Sequence, residues 1–175
     1  MIVLGVDPGT LHLGWGVLRG QGNRITHLGH GVVDAPRGQP LASRLLLLER
    51  GLLEVLERFR PEAGSVESMF VHKDAQAAAK LAHARGVVLL SLARAGVSVF
   101  EYPPARVKST VTGSGRADKT QMVRMVRTFL ALPEEPREDA ADALALALTY
   151  IRREPVERAL ATRGRVSTAS RSGRP

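Results

Sequence analysis

The stretch Ile2-Val3-Leu4-Gly5-Val6-Asp7-Pro8-Gly9-Thr10 decides how the rest of the chain is read. Residues 2–6 form an apolar run that makes a buried strand, and Pro8-Gly9 turns the chain directly after it. Asp7 is therefore a carboxylate at the very end of a core strand. Two more strands follow at 14–18 and 25–33, joined by a loop that contains Gly20 and Gly22. Three strands linked by short turns predict an antiparallel meander.

Beyond the meander the period changes. Leu45, Leu48, Leu52, Val55, Leu56 and Phe59 recur at helical spacing, and Pro61 stops the helix. Residues 63–67 then form a short strand that is reached across a helix, so it lies parallel to a neighbour. An Ala- and Leu-rich helix over 74–95 leads to a strand at 97–102, which Pro103-Pro104 closes. A turn of helix at 107–111 precedes the loop Thr112-Gly113-Ser114-Gly115-Arg116, and Asp118 caps a helix that runs to about Leu130. The last helix covers 139–151. The expected fold is α/β: a five-stranded mixed sheet, antiparallel in its first three strands and parallel in the remainder, with helices on both faces.

The 175 residues, 44% of them hydrophobic, suffice for one well-buried domain. That domain is assigned to residues 1–152, and the basic segment 153–175 is read as a disordered tail. The absence of cysteine excludes disulfides and thiolate metal sites. Residues 1–5 lack the basic start of a signal peptide, and no run approaches the roughly 18 apolar residues of a membrane span. A cytoplasmic protein with no membrane partner is expected. The net charge of +8 is concentrated at the end, because residues 151–175 carry seven Arg against two Glu. Overall charge is thus a weak argument for nucleic acid, and individual cations inside the domain say more.

Four carboxylates stand at the edges of apolar segments: Asp7, Glu67, Asp139 and Asp142. Asp139 and Asp142 are three apart at the start of a helix and so share a face. Carboxylates gathered without matching cations repel one another, and a hard divalent ion is the usual remedy. Two such ions are a standard device for phosphodiester hydrolysis.

The order of several fragments resembles the RuvC-type Holliday-junction resolvases, which have an RNase H-like fold. They are Asp7-Pro8-Gly9-Thr10 with Gly14-Trp15-Gly16-Val17, Val66-Glu67-Ser68-Met69-Phe70, Lys80-Leu81-Ala82-His83-Ala84-Arg85-Gly86 and Arg106-Val107-Lys108-Ser109-Thr110-Val111. Ala117-Asp118-Lys119-Thr120-Gln121, Met125-Val126-Arg127 and Asp139-Ala140-Ala141-Asp142-Ala143-Leu144-Ala145 complete the set. The resemblance implies that Asp7, Glu67, Asp139 and Asp142 are catalytic and hold Mg²⁺ or Mn²⁺, two ions per active site. Some family members carry His in place of Asp139, so the choice between ligand and general base stays open there, with direct ligation the simpler expectation.

By the same resemblance Phe70 stacks on junction bases, as exposed aromatics do with unpaired nucleotides. Lys73 and His72 beside it are candidates for backbone contacts. Lys108 and Lys119, two of only four lysines, flank the Gly113–Gly115 loop and match lysines that hold the scissile strand. Arg116 on that loop is an additional DNA contact, whereas Trp15 reads as strand packing. The implied activity is paired, symmetric nicking of four-way junction DNA by a homodimer, leaving 5′-phosphate and 3′-hydroxyl ends, with RuvA and RuvB as partners. The helix over 74–95 is the expected dimer interface. Three competing functions remain. A two-lobed sugar-kinase or actin-type ATPase shares the Asp-x-Gly-Thr turn but needs a second lobe. An RNase H-type repair nuclease would share the metal site without the dimer, and a non-catalytic scaffold would bind junctions without cutting them.

Overall fold

In the computed structural model, which describes residues 1–68 and 75–169, β1 (Ile2–Asp7) is the middle strand of a five-stranded sheet. β2 (His12–Gln21) pairs antiparallel with β1, and β3 (Arg24–Asp34) pairs antiparallel with β2. On the other side β4 (Ala63–Glu67) runs parallel to β1, and β5 (Ser98–Tyr102) runs parallel to β4. The order β3-β2-β1-β4-β5 is the mixed sheet that the sequence predicts. Both hairpin strands outrun the segments 14–18 and 25–33, because a ladder needs only backbone partners and continues through polar Arg19, Gln21 and Arg24. Gly22, at φ 57°, takes the left-handed turn between them.

Side-chain alternation along β1 divides the core in two. Leu4 and Val6 pack with Leu48 and Leu52 of α1 (Leu41–Phe59) and with Val88 and Leu92 of α2 (Ala75–Arg94). Val3 points to the opposite face, where Val107, Met122 and Leu144 come from α3 (Pro104–Thr112), α4 (Lys119–Leu130) and α5 (Glu138–Ala169). Burying each of these aliphatic side chains contributes roughly 1.5–3 kcal/mol. Trp15 packs at 5.8 Å from the Phe59 ring, as a strand residue should.

α5 rests on a row of glycines. A Cβ built on Gly5 would lie 1.8 Å from the Ala143 carbonyl oxygen, and one on Gly16 would lie 2.7 Å from the Leu144 side chain. The helix backbone therefore sits directly against Gly5, and the Leu144 side chain fills the space over Gly16. Two helix boundaries differ from the sequence reading by more than one residue. α3 begins at Pro104 rather than at 107, because a proline that closes a strand can also serve as the first residue of a helix. α5 continues as helix to Ala169, past residue 151, where the apolar periodicity ends. Among the described residues no helix is long and apolar enough to cross a membrane.

Candidate active site

β1 and β4 are in parallel register up to Val6↔Val66. Asp7 and Glu67 are the next residues on these adjacent strands, which lie about 4.8 Å apart in the hydrogen-bonding direction. Their side chains leave the face that carries α5, because two residues earlier Gly5 and Ser65 both meet that helix. Ser65 Oγ donates to the Leu146 carbonyl at 2.8 Å while fully buried, which pins α5 across β4. Asp142 lies one turn before Leu146 on the same helix face. All three carboxylates open into one cleft of about 290 Å³ with an apolar floor that includes Val107, Met122 and Leu146.

The charges in this cleft are unbalanced. Burial, then Asp142, Glu67 and Asp139, push the Asp7 pKa from 3.8 up to about 7, against the opposing pull of Lys119. Asp142 is raised as well, chiefly by burial. Acids whose charge is resisted this strongly are poised for a cation. Among the described residues no three acidic or imidazole side chains stand close enough to hold an ion unaided. Mg²⁺ is commonly held by one or two carboxylates and completes its shell with water and phosphate oxygens. The donor set, hard oxygens alone, fits such an ion.

Asp139 lies at the edge rather than in the lining of the cleft. It is a third exposed, and Arg137 Nη2 stands 4.0 Å from its carboxylate. The same guanidinium grips Asp34 through two bonds, of 2.7 and 2.9 Å, and His12 Nδ1 shares Asp34 at 2.6 Å. These partners hold the Asp34 carboxyl at about 2. Arg137 carries no sequence signal that separates it from the chain's other arginines.

Lys108 and Lys119 both line the cleft. Lys119 occupies the first turn of α4, where a reciprocal cap fixes the helix start: Gln121 N donates to Asp118 Oδ1 at 2.8 Å and Asp118 N donates to Gln121 Oε1 at 3.2 Å. Its ammonium donates to Glu138 at 3.0 Å, and this bond raises its pKa. Arg116 is exposed on the intervening loop and does not line the cleft. Phe70, His72 and Lys73 lie outside the described residues.

A family model described as crossover junction endodeoxyribonuclease RuvC matches residues 3–150. A protein of Sorangium cellulosum with the same description is 52% identical over 164 residues, which is 94% of this chain and 92% of that one. The Thermus thermophilus RuvC structure superposes with a TM-score of 0.79 at 40% identity, covering 90% of this chain and 97% of that one. A second T. thermophilus RuvC structure, in complex with Holliday junction substrate, also gives 0.79 at 42% identity, with 86% and 92% covered.

Proposed function

The chain belongs to the RuvC family of crossover junction endodeoxyribonucleases, with the RNase H-like fold of that family, and from that premise we propose that it resolves four-way DNA junctions by paired, symmetric, metal-dependent hydrolysis. The observation that carries this reading is the meeting of Asp7, Glu67 and Asp142 with Lys108 and Lys119 in one cleft. Acids and ammonium groups lining one cleft suit a phosphodiester held between cations.

Asp7, Glu67 and Asp142 would hold Mg²⁺ or Mn²⁺, two ions per site, with Asp139 completing the set from the cleft edge. Bound there, such ions polarise the scissile phosphate and offset the charge that builds on it. Lys108 and Lys119 bind the non-bridging phosphate oxygens and orient the strand. Lys119 must leave Glu138 to do so, and that exposed pair is worth no more than about 1 kcal/mol. Water attacks phosphorus in line, the bond to the 3′ oxygen breaks, and the nick carries 5′-phosphate and 3′-hydroxyl ends. Phe70 stacks on junction bases, and Lys73 and Arg116 contact the backbone.

A junction with two-fold symmetry needs two cuts, which a symmetric homodimer supplies. The outward face of α2 suits that role. Ala79, Ala82, Gly86 and Leu90 recur along it at helical spacing and are exposed. Among the described residues a Cβ on Gly86 would meet nothing within 4 Å, so no contact among them accounts for a glycine in mid-helix. Ala84, expected on the same interface, is instead 2% exposed and packs inward. A cytoplasmic setting, a basic tail at 153–175 and cooperation with RuvA and RuvB complete the reading. The test offers a synthetic four-way junction, a matched linear duplex and an RNA–DNA hybrid, with and without Mg²⁺ or Mn²⁺. Selective, metal-dependent nicking of the junction is expected. Equal cutting of the hybrid would favour an RNase H-type nuclease, and binding without cutting a scaffold.

A further inference from the structure

α2 carries a buried arginine that the proposed chemistry does not use. Arg85 is 8% exposed and lies on the helix face that also buries Ala84, Val88 and Leu92. Its Nη2 pairs with Glu101 Oε2 of β5 at 2.7 Å, and its Nη1 donates to the backbone carbonyl of Glu67. One guanidinium thus ties the carboxyl ends of β4 and β5 to α2. The Glu101 side chain is 48% exposed, so the ion pair itself adds little stability. Burying the guanidinium against the Glu67 carbonyl points to a task besides holding the fold.

The location of the bond identifies that task. The ladder between β1 and β4 ends at Val6↔Val66, while Glu67 is still paired with Tyr102 of β5. Glu67 is therefore fixed by a strand on one side only. Arg85 reaches its carbonyl from the α2 side of the sheet, while the Glu67 carboxylate opens into the cleft on the α5 side. Reactive groups must be held to within roughly 0.5 Å, and an error of about 1 Å can cost about 10²-fold in rate.

We propose that Arg85 is a positioning residue for Glu67, fixing the end of β4 so that the carboxylate meets the metal in register with Asp7. This rests on the nuclease reading above. A guanidinium can bridge two acceptors in fixed geometry, whereas an ammonium cannot reproduce that fork. Arg85→Lys keeps the charge opposite Glu101 and loses the bridge. Glu101→Gln removes the charge that orients the guanidinium and so loosens its hold on the Glu67 carbonyl.

The test measures three quantities in the full-length parent and both variants: Mn²⁺ affinity by calorimetry without DNA, junction affinity, and single-turnover cleavage across a Mn²⁺ series. For Arg85→Lys we expect Mn²⁺ affinity and the Mn²⁺ requirement for cleavage to weaken about tenfold or more. Junction affinity should stay within about threefold, and high Mn²⁺ should restore part of the rate. Glu101→Gln should shift the same quantities less, and it decides alone if Arg85→Lys does not fold. Unchanged Mn²⁺ affinity in the folded variants, or equal losses in binding and rate, would overturn the positioning role. A parent that binds Mn²⁺ but cuts no junction would overturn the nuclease reading instead, leaving the Mn²⁺ comparison to judge Arg85.

Discussion

Gly14 and Asp139 are in backbone contact: a Cβ on Gly14 would stand 1.9 Å from the Asp139 carbonyl oxygen. Gly14 is also the β2 partner of Asp7 in the sheet ladder. One small residue thus sets how closely the helix bearing two acids approaches the strand bearing the first.

Gly14→Ala must push α5 outward, since the obstacle is backbone and cannot rotate away. Overpacking of this kind costs about 1–3 kcal/mol, a fall in melting temperature of roughly 2–12 °C for a chain of this size. Cleavage should fall further than stability alone explains, because Asp139 and Asp142 move with the helix. Thermal unfolding and single-turnover cleavage, measured together, check this. A variant with parental rate would show that α5 need not sit so close.

Gly86→Leu probes the proposed dimer. Among the described residues nothing crowds the missing side chain, and leucine is the better helix former by about 1 kcal/mol. The subunit itself should be no less stable. Sedimentation should show the dimer dissociating at concentrations where the parent stays paired. An unweakened dimer would remove α2 from the interface.

Much of this was legible in the residues. The five strands and the capping role of Asp118 follow from apolar periodicity and breakers, and carboxylate placement singles out Asp7, Glu67 and Asp142, which share the cleft, along with Asp139 outside its lining. The glycine row beneath α5 was not legible, because a glycine that admits a helix looks like any other glycine until the packing is known. Arg85 was equally hidden: nothing in an Ala-rich helix separates a buried arginine from its exposed neighbours. Arg137 illustrates the same limit, since the strand ends His12 and Asp34 come together with it only in the folded chain. The ends of β2 and β3 were missed because their pairing is a property of backbone alone.

The Asp7 pKa makes a prediction about pH and metal. Raised from 3.8 to about 7, the folded protein holds its proton where the unfolded chain has lost it. Stability from this group is complete below about pH 3.8 and is lost as pH rises through about 7. His27 and His30 act oppositely, because burial lowers their pKa below 6.5 and costs stability as pH falls. Comparing the parent with Asp7→Asn cancels the histidines. Without metal, the melting temperature of the parent relative to Asp7→Asn should drop between about pH 5.5 and about pH 8. Mn²⁺ should recover it at the higher pH, and Asp7→Asn should respond less. A difference that does not change with pH would contradict the charge imbalance at Asp7.

Lys108→Ala and Lys119→Ala should slow cleavage more than they weaken junction binding. Cations beside the reacting phosphate stabilise charge that develops in the transition state, and removing one such donor costs about 10²–10³-fold in rate. Binding retains the remaining arginines. Single-turnover rates set against dissociation constants at fixed salt check this, and equal losses in both would place these lysines away from the scissile phosphate.

The most direct test of the central claim is the single-turnover rate of Glu67→Gln on a synthetic four-way junction in Mg²⁺ or Mn²⁺, with junction affinity measured in parallel. The change keeps size and shape but removes the charge that helps to hold the metal. The account predicts a loss of roughly 10²-fold or more in rate, with junction binding retained or tightened, because one acid facing the phosphates is gone. Cleavage at the parental rate would contradict the carboxylate site and, with it, the mechanism assigned to this cleft.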